Sequence, residues 1–123
     1  MSMTLEEAVQ STAITWGKVP TVNHYLAPDS PEQWPTPWEL INDNHYCDLA
    51  ICLGMFYSLV LTQNPDDLEL RIYNFENNYL PVCTVGKYAI NMDHGAVVNI
   101  HSLPDQAFLI YHYKKVDLSS KIN

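Results

Sequence analysis

The sequence predicts an α+β domain in which N-terminal helices include one buried central helix, packed on an antiparallel sheet of four to five strands. Residues 4–62 carry helical spacing and capping signals, whereas residues 68–113 carry strand-like patterns separated by turn residues, and this order is typical of α+β proteins. The chain has 123 residues and 47% hydrophobic content, enough for one domain with its own core. We expect a single domain over 1–123, with residues 114–123 as a polar tail.

Two helices are predicted in the first third of the chain. Residues 4–16 place apolar side chains three and four positions apart, with Thr4 as the N-cap and Gly17 directly after the last turn. The segment 36–39, with the letters TPWE, predicts a short helix, because a capping threonine, a first-turn proline and a glutamate three residues after the cap form a capping box. The proline-rich residues between these helices, 17–35, predict a long irregular connection.

The central helix is predicted over residues 45–62, with Asn44 as its N-cap. Its apolar side chains cover most of the circumference, which is the pattern of a helix enclosed on all sides. Residues 63–67 then form a turn, and strand patterns follow. The expected strands are 68–74, 80–84, 87–92, 96–101 and 107–113.

Charge and the length of the apolar stretches exclude two classes of partner, nucleic acids and membranes. The net charge is −8 and the chain has only six lysines and arginines, so no basic stripe is present to neutralise phosphates. The longest apolar stretch, 49–61, is too short to cross a bilayer, and the N-terminus lacks the pattern of a signal peptide. We therefore expect no direct nucleic-acid binding, no membrane association and a cytoplasmic location, which is the host cytoplasm or the virion if the chain is phage-encoded. Charged residues make up only 16%, a composition that resembles interfaces and favours a protein partner or self-association.

No metal or cofactor is expected. The cysteines are odd in number and show no zinc-type spacing. They are Cys47, Cys52 and Cys83. The histidines near Asp93 in the second half of the chain match no zinc pattern either. They are His94, His101 and His112.

Cys47 falls in the first turn of the predicted central helix. Unpaired amide groups and the positive end of the helix dipole stabilise a thiolate there, which is what a nucleophilic cysteine requires. The alternative is that Cys47 packs in the core, because free cysteine is among the most buried residue types.

Residues 34–50, with the letters WPTPWELINDNHYCDLA, resemble bacterial and phage transglutaminase-like cysteine proteinases. In that family a Trp-x-Thr/Ser-Pro-x-Glu helix precedes a turn in which the nucleophilic cysteine opens the core helix, and a sheet carrying His and Asp follows. The resemblance extends over about 34–91. It implies a papain- or transglutaminase-like core, and acyl transfer or hydrolysis through a thioester on Cys47.

The chain also departs from this pattern. His45 and Tyr46 replace the family's Gly-Asp before the cysteine, and Asn91 occupies the position of the orienting aspartate. The histidine position falls at Tyr79 or Leu80. Without a base near the thiol, acyl transfer lacks its proton shuttle.

His94 is an alternative base. It follows Asn91 closely, so that Asn91 or Asp93 would orient its imidazole and Cys47 would be the nucleophile. Against this role, the segment 93–95 also predicts an exposed hairpin tip, because its glycine supplies a positive φ.

Three functional hypotheses follow. The favoured one is a non-catalytic protein-binding module on a degenerate transglutaminase-like fold, a pseudoenzyme similar to virion or host-takeover accessory proteins of tailed phages. The second is an active cysteine acyl-transferase or peptidase that uses Cys47, His94 and Asn91. The third is an acidic inhibitor that mimics an anionic ligand. Aromatic residues of the first half are the candidates for a binding surface. They are Trp34, Trp38, Tyr46 and Tyr25.

Overall fold

The structure, a computed structural model, confirms the α+β class. It describes residues 4–19, 21–22, 25–42, 46–92 and 96–122. Within them the helices are α1 (Leu5–Trp16), α2 (Pro37–Ile41), α3 (Asp48–Thr62) and α4 (Ser119–Ile122). The strands are β1 (Leu68–Phe75), β2 (Asn78–Val85), β3 (Tyr88–Ile90), β4 (Val97–Asn99) and β5 (Phe108–Lys114). Short 3₁₀ turns cover Pro31–Gln33, Ile100–Ser102 and Lys115–Leu118.

Both predicted capping signals are confirmed. At the start of α1, the Thr4 side chain accepts a hydrogen bond from the Glu7 amide at 3.2 Å, and the Glu7 carboxylate accepts one from the Thr4 amide at 3.1 Å. Thr36 and Glu39 repeat this exchange at 3.3 and 3.0 Å at the start of α2. Each box satisfies two amides that a helix start otherwise leaves unpaired.

The central helix is confirmed as buried, but it begins later than the sequence predicts. Cys47 has extended backbone angles and is the N-cap, so the first helical residue is Asp48, whose carboxylate suits the positive end of the helix. The predicted cap, Asn44, lies outside the described residues. Every residue from 49 to 57 is buried, which is why this stretch reads as apolar on all sides.

The five strands form one antiparallel sheet in the order β4-β3-β2-β1-β5. A two-residue turn joins β1 to β2, with Glu76 and Asn77 both at positive φ, as a tight hairpin needs. Gly86, also at positive φ, turns β2 into β3. The fourth strand is shorter than the predicted 96–101, because the chain turns into a 3₁₀ segment at Ile100.

The two faces of the sheet are packed differently. Buried side chains such as Leu70, Ile72 and Cys83 lie in the main core cluster together with α3. The opposite face carries a smaller apolar cluster around Tyr73 and Val82, against which side chains from 98–107 pack. Among the described residues, no helix is both long and apolar enough to cross a membrane.

The prediction of a C-terminal tail is wrong. Residues 115–122 form a 3₁₀ turn followed by α4, and the side chain of Leu118 is only 1% exposed. Lys121 donates a hydrogen bond to the Glu32 carbonyl oxygen at 2.7 Å. The segment is polar in composition, but its one buried leucine joins the main core and fixes it there.

Candidate functional site

The beginning of α3 lies where β2 and the end of β3 meet the helix, and Asn91 joins these segments. The Asn91 amide nitrogen donates to the Asp48 carbonyl oxygen at 3.2 Å and to the Pro81 carbonyl oxygen at 3.1 Å. Asn91 is buried and has a φ of 76°, a left-handed conformation that asparagine tolerates better than most residues. The sequence-predicted positions 47 and 91 are therefore brought to the same end of the core helix.

The side-chain oxygen of Asn91 is buried and accepts no hydrogen bond within the described structure. Its orientation follows from its neighbours, because both atoms facing the amide nitrogen are carbonyl acceptors. An unpaired buried acceptor costs about 1–3 kcal/mol, so this oxygen is unusual for a residue with a purely structural role.

Cys47 is enclosed. Its exposed fraction is 0%, although it holds the N-cap position of α3. A nucleophilic thiol has to reach the carbonyl carbon of its substrate, and a side chain sealed from solvent does not do so without rearrangement. His94 and His45 lie outside the described residues, so the proposed Cys47–His94 pair is not addressed by the structure.

The other two cysteines are core residues. Cys52 on α3 and Cys83 on β2 are both buried and neither forms a disulfide. Burial raises the pKa of both thiols, because the charged thiolate loses its hydration in the core. These two thiols are therefore protonated and unreactive at neutral pH.

A cavity of about 380 Å³ opens beside the start of α3. Its volume falls in the range of about 300–1,000 Å³ that is usual for ligand pockets. The described lining combines apolar side chains with three polar ones. The apolar residues are Val22, Pro28, Leu49, Ile72 and Pro81, and the polar ones are Asp48, Asn78 and Tyr79.

Tyr79 reaches this cavity because of the strand register. Asn74 pairs with Tyr79 across β1 and β2, and Ile72 pairs with Pro81, so Tyr79 shares the face of the sheet that bears Ile72. Leu80 points to the opposite face and packs in the smaller cluster. Of the two residues that the resemblance predicts at the histidine position, Tyr79 is the one beside α3, and its side chain is 51% exposed.

The four predicted binding aromatics separate into two groups. Trp34 and Tyr46 are buried: the Trp34 indole donates to the Ala27 carbonyl at 2.8 Å, and the Tyr46 hydroxyl donates to the Leu40 carbonyl at 3.1 Å. Both rings are tied to backbone carbonyls by these hydrogen bonds and offer almost no surface. Trp38 is 72% exposed and Tyr25 is also exposed.

Sequence reasoning missed Val22 and Tyr79 as binding candidates. The signal for Tyr79 was available in the strand alternation, since a tyrosine two residues before a buried proline of β2 lies on the core face. No comparable signal marks Val22, which reaches the cavity through the irregular connection.

Within the described residues, no group of three or more histidine, cysteine or acidic side chains is arranged to hold a metal ion. His112 lies with its Nδ1 3.4 Å from a carboxylate oxygen of Glu69, on β5 and β1. His94 and Asp93 are outside the described part of the chain.

The chain matches no protein-family model, no curated protein and no solved structure. The resemblance of residues 34–91 to transglutaminase-like proteinases therefore stays a prediction, and so do the roles it implies for Cys47 and Asn91.

Proposed function

We propose that this chain is a non-catalytic protein-binding module whose binding site is the cavity at the start of α3. One observation carries the proposal: the thiol that a catalytic role requires is sealed, at 0% exposure, while an open cavity is lined by the next two residues of the chain, Asp48 and Leu49. If the scaffold is transglutaminase-like, the chain is a pseudoenzyme: it keeps a cavity at the position of the substrate site but does not carry out acyl transfer.

Exposed apolar side chains around the cavity support a protein partner. Phe108, Asn74 and Tyr79 pair in one row across β5, β1 and β2, so the rings of Phe108 and Tyr79 flank the same face. Both rings are exposed, as is Val22 on the cavity wall. Aromatic side chains at the edge of a pocket are among the residues that contribute most binding energy in protein interfaces.

Site-specific photocrosslinking tests the proposal. p-Benzoylphenylalanine is placed at Tyr79 and, as a matched control, at Leu61, which is 62% exposed but lies about 20 Å along α3 from the cavity. After irradiation in a lysate of the cells in which the protein acts, we expect a discrete adduct from position 79 and none from position 61.

The outcome that contradicts the proposal is equally clear. Adducts from both positions, or from neither, would show that the cavity rim is not a specific protein-binding surface. If the cells are bacteria infected by a phage, the adduct would be a virion or host protein, as the resemblance implies.

A cysteine acyl-transferase or peptidase is the second candidate, and the unpaired Asn91 oxygen favours it. An acceptor held in place by two hydrogen bonds of its own amide is what orients an imidazole beside a nucleophile. The test is a burst of p-nitrophenol from p-nitrophenyl acetate. The proposed module gives the same trace as Cys47→Ala, whereas an enzyme gives a burst that Cys47→Ala abolishes.

A further inference from the structure

We infer that the outer edge of strand β5 is a self-association surface, on which β5 of a second copy of this chain pairs in antiparallel orientation. This inference concerns the edge of the sheet and does not depend on the cavity beside α3.

β5 lies at one edge of the sheet, and its outer side is open. It pairs with β1, the next strand inward, over seven residues, whereas the strand at the opposite edge, β4, has three. Within the described structure, one main-chain group of β5 is bonded on the outer side: the Lys114 amide donates to the Asp117 carboxylate at 2.8 Å. An edge with unpaired amide and carbonyl groups is a template for another strand.

The hairpin of β1 and β2 determines which residues of β1 bond to β5. Phe75 and Asn78 flank its two-residue turn and form its closing hydrogen-bonded pair, so Phe75 directs its main-chain groups toward β2. These directions alternate along a strand. Leu70 and Ile72 therefore direct theirs toward β5.

The register then gives the outward residues of β5. Tyr113 and Tyr111 lie opposite the two β1 residues that face them, so His112 between them directs its amide and carbonyl away from the sheet. The outward amide of Lys114, two residues on, agrees with this alternation. After the register shift, Leu109 lies opposite a β1 residue that bonds to β2, so Leu109 also faces outward.

A second β5 strand fits this edge. Antiparallel pairing of identical strands is self-complementary, as a two-fold axis requires. With the axis between residues 110 and 111, His112 of each copy lies opposite Leu109 of the other, so the outward groups meet on both sides of the axis. The pairing also covers apolar surface, because the side chains of Phe108 and Leu109 are 61% and 45% exposed.

Charge complementarity favours a second copy as the occupant. In this register Lys114 of one copy lies beside residue 107 of the other, two positions from Asp105. Both charged residues are exposed, and neither has an ion-pair partner within the described structure. Because the strands run in opposite directions, these charges meet once at each end of the pairing.

Amide hydrogen exchange at low and high protein concentration tests the pairing directly, at about 0.15 M salt to screen the repulsion between two acidic chains. We expect exchange of the His112 amide to slow at least tenfold at high concentration, as sedimentation shows the mass to double. The amides of Tyr111 and Tyr113 are the internal controls, because their bonds to β1 should protect them at both concentrations. A chain that stays monomeric, or a His112 amide whose exchange does not change, would overturn the inference.

Two sets of variants test the register. Leu109→Lys should weaken the dimer at least tenfold, whereas Leu61→Lys, the same change at an exposed leucine of α3, should leave it intact. Asp105→Lys and Lys114→Glu should each weaken the dimer, and their combination should restore it. Equal effects of the two leucine changes, or no rescue in the double variant, would contradict pairing through β5 in this register.

Discussion

At the scale of single residues, the Asn91 side chain bridges the start of α3 and strand β2 from a left-handed backbone position. Its amide nitrogen donates a hydrogen bond to the backbone carbonyl oxygens of Asp48 and Pro81. The same residue leaves its own oxygen unpaired. Asn91 therefore stabilises the geometry of the site through its amide nitrogen, while its side-chain oxygen is a buried acceptor that could bind another group.

Asn91→Ala should destabilise the fold by about 2–4 kcal/mol, because it removes one buried and one partly buried hydrogen bond and leaves an alanine, with no local polar contact, at positive φ. Urea unfolding measures the change. Asn77→Ala is the matched control, since Asn77 has a similar φ of 64° in an exposed turn. An equal loss in both variants would contradict a bridging role for Asn91.

Which tryptophan is buried could not be read from the sequence. Trp34 lies two residues before the capping box of Thr36 and Glu39, and Trp38 lies within it, so both suggest a binding surface or a core anchor. Burial of Trp34 depends on Tyr113, whose ring packs edge-on at 5.0 Å from a strand far along the chain. A contact between such distant segments leaves no trace in local spacing.

At the scale of elements, α1 packs on α3 where Gly54 leaves room for the Trp16 ring. A Cβ built on Gly54 would overlap the six-membered part of the indole. The indole nitrogen of Trp16 donates to the Ser58 hydroxyl at 3.0 Å, one turn further along α3. The glycine is therefore required by the close approach of two helices.

Gly54→Ala should destabilise the fold by about 1–3 kcal/mol, because overpacking against Trp16 exceeds the gain of about 1 kcal/mol in helix propensity. Combining it with Trp16→Leu tests the cause by thermal or urea unfolding. The double variant should lose less than the sum of the single losses. Strict additivity would show that the two residues do not interact.

The C-terminal segment gives a second prediction at this scale. Leu118→Ala should cost about 2–4 kcal/mol, because the side chain is buried in the main core. Val116→Ala in the same 3₁₀ turn is the control, since Val116 is 76% exposed and its change should fall within about 0.5 kcal/mol. Similar unfolding midpoints for both variants would restore the tail interpretation.

The elements differ in how far local sequence determined them. Capping boxes fixed the starts of α1 and α2, because all their partners lie within three residues. The sequence predicts the start of α3 too early, because buried side chains also occur directly before the helix, at Tyr46 and Cys47. The docking of Leu118 was missed because a single apolar residue in a polar segment carries no periodicity.

At the scale of the whole molecule, buried thiol and phenol groups make the folded protein less stable at alkaline pH. Burial raises the pKa of the Cys52 and Cys83 thiols and of the Tyr57 hydroxyl. The folded protein keeps these protons, while the unfolded chain releases them above about pH 8.5 for cysteine and about pH 10 for tyrosine. The contribution of these groups to the free energy of unfolding is therefore fully present below about pH 8.5 and is lost as the pH rises.

The free energy of unfolding should fall by about 2–3 kcal/mol per pH unit above pH 9, because the thiols of Cys52 and Cys83 each release a proton on unfolding. Urea titrations between pH 7 and 10.5 measure the slope. Cys83→Ala lowers overall stability but should also reduce the slope by about half. A slope that does not change in this variant would show that Cys83 does not titrate on unfolding.

The sequence predicted the fold class but not the cavity. Helices followed by strands are visible in spacing alone, and the adjacency of β1, β2, β3 and β4 follows from short connections, whereas β5 pairs with β1 at the opposite edge. The cavity is assembled from the irregular connection, the start of α3 and the hairpin of β1 and β2. Its wall therefore depends on packing between segments that no local pattern relates.

The reactivity of Cys47 in the native protein tests the central claim most directly. Iodoacetamide labelling at pH 6, followed by mass spectrometry of the peptides, compares it with Cys52 and Cys83 in the same molecule. A sealed, non-catalytic thiol predicts that Cys47 reacts no faster than the two core cysteines, all three being buried. Alkylation of Cys47 a hundredfold faster than the others, lost in His94→Ala, would contradict the account.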